Sequence, residues 1–207
     1  MANDKWSNPQ KMWDERYAQA DPVYGEYPNA FLEEQAKKWP PEARVLVPGD
    51  GYGRNGIWLA RQGFQVHAVD LSRVGIERSR KAAAIARVQM TIECADLSKW
   101  NWPVGEFDAV ASIFVHLPAD ARPKIHASML GALKPGGVLI LEAFSPSQLQ
   151  FSSGGPKQID LLYTAESLRR DFAGARVLEL GEKVVELREG PLHSGPGAVV
   201  RGIFCKG

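Results

Sequence analysis

The sequence predicts an α/β fold built on a parallel sheet, and three observations carry that prediction. Strand-like and helix-like segments alternate from residue 44 to residue 142. A glycine turn, Gly49-Asp50-Gly51-Tyr52-Gly53, separates the first of these strands from the first helix. An acid, Asp70, closes the second strand. Repeats of strand, helix and strand form parallel sheets with right-handed crossovers.

Each element has its own signal. Val45 to Val47 is a short apolar run. Residues 54–61 carry Ile57, Leu59 and Ala60 and predict a short helix. Residues 65–69 alternate into a second strand that stops at Asp70. Residues 73–87 intersperse Arg and Lys with Ala and Ile, which fits a helix with a solvated face or a dock for an acidic substrate. A third strand is predicted over 88–93 and a fourth from Phe107 to the loop at His116. Leu133-Lys134-Pro135-Gly136-Gly137 ends a helix, because proline cannot continue one and glycine accepts the left-handed turn. Val138 to Leu141 then runs on as the fifth strand.

The flanks differ from this core. Residues 1–43 are rich in aromatics and prolines, with an amphipathic helix over 31–39 that Pro40-Pro41 terminates. Residues 145–159 predict a loop, Thr164 opens a helix, and 176–187 and 198–205 alternate as strands around a Gly/Pro-rich loop at 190–197. That hairpin would put an antiparallel strand at the sheet edge. The expectation is one domain over 1–207: an N-terminal helical lid over 1–43, a ligand-binding core over 44–144, and a substrate-side helix and hairpin over 145–207.

Composition narrows the function classes. A hydrophobic fraction of 44% supports one continuous core, and a formal net charge of +1 leaves no electrostatic footprint for nucleic acid or membrane. Cys94 and Cys205 have no metal-site spacing and are expected as buried, reduced thiols. The polar start lacks the apolar core of a signal peptide, and no apolar run approaches a membrane span. The expectation is a cytoplasmic protein, monomer or homodimer, with a small-molecule partner and no metal.

The glycine turn and Asp70 together describe a nucleoside site. In an open α/β sheet, ligands bind outside the carboxyl ends of the strands, where an acid can accept both hydroxyls of a ribose. Gly51-Tyr52-Gly53-Arg54-Asn55-Gly56 is G-x-G-x-x-G, with Asp70 at the spacing of a dinucleotide fingerprint. From Gly49 the same stretch is G-x-G-x-G, which resembles motif I of the class I S-adenosylmethionine (SAM) dependent methyltransferases. Three later segments resemble the same superfamily: Cys94-Ala95-Asp96-Leu97 after the third strand, 107–116 as motif IV, and 133–141 as the helix-end turn and fifth strand. At the ends of the chain, Met12-Trp13-Asp14-Glu15-Arg16-Tyr17 with Tyr24-Gly25-Glu26-Tyr27-Pro28-Asn29, residues 151–157, and the tail around Glu189-Gly190-Pro191-Leu192-His193 resemble small bacterial methyltransferases related to the tellurite-resistance and thiopurine methyltransferases.

The resemblance implies a Rossmann-like, doubly wound sheet of seven strands in the order 3-2-1-4-5-7-6, with one antiparallel strand and helices on both faces. It implies SAM as cofactor and S-adenosylhomocysteine (SAH) as product. Gly49, Gly51 and Gly53 would approach the methionine half, with Asp50 and Asn55 beside them. Asp70 would bind the ribose, or cap the helix opening near Ser72; Leu71 would pack on the adenine, and Ser72 completes that set. Asp96 would receive the adenine amine, with Leu97 nearby, or cap a helix of its own. Ser112, Ile113 and Phe114 end the fourth strand, where backbone carbonyls would hold the amino group. Tyr24 is the lid candidate, since an aromatic face attracts a sulfonium.

His116 and His193 are the candidate catalytic bases, because an imidazole titrates near neutrality. A backbone-bonded turn before Pro118 is the other reading of His116. One departure stands out: the superfamily often has an acid two residues before the first glycine, and here that position is Val47, so Asp50 would take over part of its role. Two alternatives stay open, a non-enzymatic SAM-binding sensor and an NAD-dependent oxidoreductase. The latter lacks a Tyr-x-x-x-Lys pair and room for a second domain.

Overall fold

The structure is a computed structural model that describes residues 8–19 and 22–207. The polar start discussed above lies outside the described residues. Seven strands form one sheet in the order β3-β2-β1-β4-β5-β7-β6. They are β1 (Arg44–Pro48), β2 (Gln65–Asp70), β3 (Thr91–Cys94), β4 (Phe107–Ile113), β5 (Leu133–Phe144), β6 (Ala175–Arg188) and β7 (Ser194–Lys206). β1 pairs in parallel with β2 and β4, while β7 runs antiparallel between β5 and β6. Six α-helices flank the sheet: α1 (Pro9–Tyr17), α2 (Ala30–Ala36), α3 (Arg54–Arg61), α4 (Arg73–Ala86), α5 (Arg122–Ala132) and α6 (Ala165–Asp171).

The central strands are mostly apolar because both faces are covered. Side chains alternate between faces, so Leu46 of β1 enters one core with Val110, Met129, Phe172 and Phe204, on the α5 and α6 side. Its neighbours Val45 and Val47 enter the other, with Phe31, Leu32 and Leu59 from α2 and α3. The hydrophobic pattern of one five-residue strand thereby ties together helices from four parts of the chain.

Several local expectations change, among them the start of β5, which takes in the expected helix-end turn over 133–137. β3 starts at Thr91 rather than at residue 88, because α4 leaves through Arg87 at φ +55 and the Val88 amide returns to the Ala83 carbonyl. α2 stops at Ala36, and the amides of Lys38 and Trp39 turn back to Gln35 and Ala36. β7 begins at Ser194, so Gly195, Pro196 and Gly197 pair with β6 and the hairpin loop shortens. The antiparallel strand β7 is internal, as the strand order implied by the resemblance has it, and the edge strand is β6 rather than an antiparallel strand of the hairpin. Cys205 is buried as expected, but Cys94 is exposed at the end of the opposite edge strand, β3.

Two glycines weld the segment before α2 to that hairpin. Gly190 has φ +86, and a Cβ there would run into the Gly25 backbone. The Leu192 amide donates to the Val23 carbonyl at 3.0 Å. Gly190→Ala combines a strained backbone with a steric clash, so it is expected to cost about 1–3 kcal/mol. Limited proteolysis at residues 22–27 should accelerate in that variant before global unfolding does.

Candidate active site

The carboxyl ends of β1, β2 and β4 open onto two adjoining cavities. The larger, about 410 Å³, is bordered by Asp70, Leu71, Asp96, Leu97 and Ser98. The smaller, about 250 Å³, is bordered by Tyr24, Asp50, Gly51, Asn55, Ile113, Phe144, Lys157 and His193. Trp13, Tyr17, Gly49, Phe114 and His116 border both.

The glycine turn shapes the junction. Gly49 and Gly51 have φ +70 and +61, which only glycine adopts without strain. A Cβ on Gly51 would meet the Tyr17 hydroxyl at 2.6 Å, and one on Gly49 would meet Val115 at 2.7 Å. Asp70 Oδ2 accepts from the Gly51 amide and its Oδ1 from the Ser72 amide, both at 2.8 Å. Two backbone donors thus fix this carboxylate, and its remaining lone pairs are left for the larger cavity.

Burial pushes Asp70 up to about 6, against the Ser72 and Gly51 amides. Burial likewise pushes Asp50 up to about 8, although both its oxygens accept from the Gly56 amide at the start of α3. A raised carboxyl stabilises the folded chain most below its unfolded value and loses that contribution as pH rises through the folded one. A ligand that needs the Asp70 carboxylate should therefore bind better as pH rises through about 6, releasing a proton in that window. Calorimetric titration of SAM in buffers of differing ionisation enthalpy checks both points.

α1 roofs the junction. Trp13 stacks on Tyr17 with ring centroids 5.5 Å apart, and Tyr17 meets Tyr52 edge-on at 5.6 Å. Asp14 accepts from the Ser72 hydroxyl at 2.5 Å, and Arg78 donates to the carbonyls of Tyr17 and Gln19. Arg16 lies over Trp13 and donates to the Tyr24 hydroxyl at 2.7 Å. It does not pair with Asp14 or Glu15.

Most of the residues singled out in the sequence border one of the cavities, and three do not. The Ser72 hydroxyl is spent capping α4 and donating to Asp14, so only its amide reaches Asp70. A Cβ on Gly53 would meet the Ser79 hydroxyl, which places that glycine under α4. Ser112 is buried in β4 and borders neither space. Asp96 borders the larger cavity, but no helix opens there for it to cap; it accepts from the Ser98 amide and hydroxyl in a local turn instead.

The two histidines separate clearly. His116 contacts the Leu161 carbonyl through Nδ1 at 2.6 Å, and its Nε2 faces the Phe144 amide at 3.4 Å. Burial lowers it to about 4. Both nitrogens being engaged by backbone, the expectation of a catalytic base at His116 is corrected to the turn reading. His193 is also buried, which holds it below the ordinary imidazole value against the opposing pull of Glu189. It sits among Tyr24, Phe114 and Phe144, with ring centroids at 4.7, 4.6 and 5.2 Å.

Behind His193 lies a buried polar network that sequence reasoning missed. Asn29 Nδ2 donates to Glu142 Oε1 at 2.6 Å and to Glu189 Oε1 at 2.7 Å. Arg201 pairs with Glu142, and Arg54 pairs with Glu189 Oε2 at 2.5 Å. The one sequence signal was Glu142, an acid in an otherwise apolar strand end, since buried acids need partners.

Comparison with known proteins agrees with this geometry. The family described as Methyltransferase domain matches residues 45–137. Thiopurine S-methyltransferase of Pseudomonas putida is 30% identical over 185 residues, covering 77% of this chain and 81% of that protein. The chain belongs to the class I SAM-dependent methyltransferases, with the thiopurine S-methyltransferases among its relatives. The cofactor of these methyltransferases is SAM, and the larger cavity fits it: a backbone-held acid, a second acid and the apolar Leu71 and Leu97 border one slot. Thiopurine S-methyltransferase of Bordetella petrii is 32% identical over 139 residues, covering 55% of this chain and 63% of that protein. TehB from Haemophilus influenzae superposes with a TM-score of 0.72 over 96% of this chain and 67% of that one, at 18% identity, which shows the shared methyltransferase fold. The chain spans about half to two thirds of the length of several curated relatives it matches, 57%, 63% and 51% in three cases. Among the described residues, no helix is long and apolar enough to cross a membrane.

Proposed function

We propose that the protein transfers a methyl group from SAM to a small-molecule acceptor, with the nucleoside in the larger cavity and the methionine end meeting the acceptor in the smaller. The carrying observation is the Asp70 carboxylate, fixed by two backbone amides at the edge of one cavity and joined to the other through Gly49 and Phe114. Asp70 accepts the ribose hydroxyls, and Asp96 and Leu97 meet the adenine with Leu71. Gly49, Asp50, Gly51 and Asn55 line the methionine end, and Ile113 and Phe114 close its floor.

When bound, SAM supplies a methyl carbon already activated by a positive sulfur. The chain's part is alignment and exclusion of water, and proximity alone is worth ~7–11 kcal/mol of barrier. Trp13, Tyr17 and Tyr24 seal the junction, and Tyr24 gives a cationic centre an aromatic face. The smaller cavity combines Phe114, Phe144 and Trp13 with His193, which suits a compact acceptor with an apolar body and one nucleophilic atom. Relatives with sulfur acceptors in their names, the thiopurine S-methyltransferases and a probable thiol methyltransferase of Arabidopsis thaliana, favour a thiol or a heavier chalcogen.

SAH release measured across thiols, selenite, tellurite and small phenols tests this. Turnover with a sulfur, selenium or tellurium acceptor is expected. SAM binding without turnover of any acceptor would favour the sensor reading instead.

A further inference from the structure

We propose that Glu189 is a positioning residue that holds the His193 ring with its proton on Nδ1, leaving Nε2 to take a proton from the acceptor. This rests on the methyltransferase reading and deepens it: the acceptor is one that carries an ionisable proton, a thiol or selenol, when it enters the site.

Four observations support it. His193 Nδ1 is sealed from solvent and has no hydrogen-bond partner. The nearest acid is Glu189, with Oε2 at 3.8 Å from that nitrogen, a separation that a small ring movement on acceptor binding would close. Glu189 itself cannot drift, because Asn29 holds one oxygen and Arg54 the other. Finally, His193 borders the smaller cavity while Tyr24, Phe114 and Phe144 pack around it, which brings the ring against the space given to the acceptor. Arg54, Arg16 beyond Tyr24, and His116 are the other ionisable groups acting on this ring. Burial first, and the two guanidiniums after it, discourage a resting imidazolium, which keeps the lone pair free. Glu189 is held below the ordinary carboxylate value despite its burial, with the Arg54 guanidinium on Oε2 favouring the ionised form.

The step balances simply. The acceptor's proton passes to His193 Nε2. The acceptor's electron pair forms the bond to the methyl carbon, and the pair of the broken carbon–sulfur bond stays on the sulfur of the SAH product. The imidazolium is stabilised by Glu189 until it returns its proton to solvent.

The test reads the ring as well as the rate. In protein carrying 15N-labelled histidine and saturated with SAH, wild-type His193 is expected to show a protonated Nδ1 and an unprotonated Nε2. Glu189→Gln should weaken its proton affinity about tenfold. Kinetically, Glu189→Gln and His193→Asn are expected to lower kcat for dithiothreitol, a weakly acidic thiol, on the order of 10²-fold. Glu189→Gln should slow 2-nitro-5-thiobenzoate, which is already a thiolate at neutral pH, far less than dithiothreitol. A wild-type ring protonated on Nε2, or equal slowing of both thiols, would overturn the proposal. SAH binding is the control: its absence in the wild type would defeat the cofactor reading, whereas its retention in a variant that fails the tautomer test would defeat this inference alone.

Discussion

Asp70→Ala is expected to weaken SAM binding by roughly 10²–10⁴-fold. The ribose hydroxyls would lose two hydrogen bonds to a charged acceptor, each worth about 1.5–3 kcal/mol. The substitution also orphans the Gly51 and Ser72 amides that fix the carboxylate in the native chain. The effect on the cofactor-free protein is smaller, because burial already disfavours that ionised carboxyl and raises it to about 6. Calorimetry with SAM and SAH reads the affinity. Thermal unfolding with and without SAH reads the asymmetry: the wild type should gain stability with ligand and the variant should not. A variant that binds within a few-fold of the wild type would remove Asp70 from the site.

The second large effect is expected at Asn29, a residue with no place in the methyl-transfer chemistry itself. Its side-chain amide divides its two protons between Glu142 and Glu189, while its carbonyl oxygen caps α2 by accepting from the Leu32 amide. Asn29→Asp keeps the shape and the cap but sets a third carboxylate against two buried ones. Two guanidiniums then face three acids. Leaving a buried charge uncompensated costs on the order of 3–5 kcal/mol, or roughly 10 °C or more in melting temperature. The sign of its pH dependence follows from linkage. Crowded carboxyls have folded values raised above their unfolded ones, so the folded chain binds protons more tightly and the deficit shrinks as pH falls. Thermal scans between about pH 5 and pH 8 test this. A deficit that stays constant, or grows toward acid, would contradict the network as described.

The parts of this fold legible in the sequence are those written locally. The glycine turn, α3 and β2 fall where alternation and glycine spacing put them, because φ-positive turns and two-residue periodicity depend on neighbours in the chain. The start of β3 was misjudged because the left-handed exit of α4 at Arg87 is a choice that many residues other than glycine disfavour. The inner place of β7 is a matter of long-range pairing, which resemblance supplied and periodicity did not. The same contrast runs through the candidate site. Asp70 and the glycines are adjacent to the turn they serve, whereas Asn29 reaches Glu142 across 113 positions and Glu189 across 160. No local pattern announces such a network. His116 and His193 looked equivalent by residue type, and only their partners distinguish them: two backbone groups for one, a held carboxylate for the other.

The most direct test of the central claim, that the two cavities are the nucleoside end and the methyl-transfer end of one site, is a crystal structure of the protein with bound SAH. The account predicts the ribose hydroxyls on the Asp70 carboxylate, the adenine between Leu71 and Leu97 beside Asp96, and the sulfur directed past Gly49 toward His193. A nucleoside bound elsewhere, or a sulfur turned away from the smaller cavity, would contradict it.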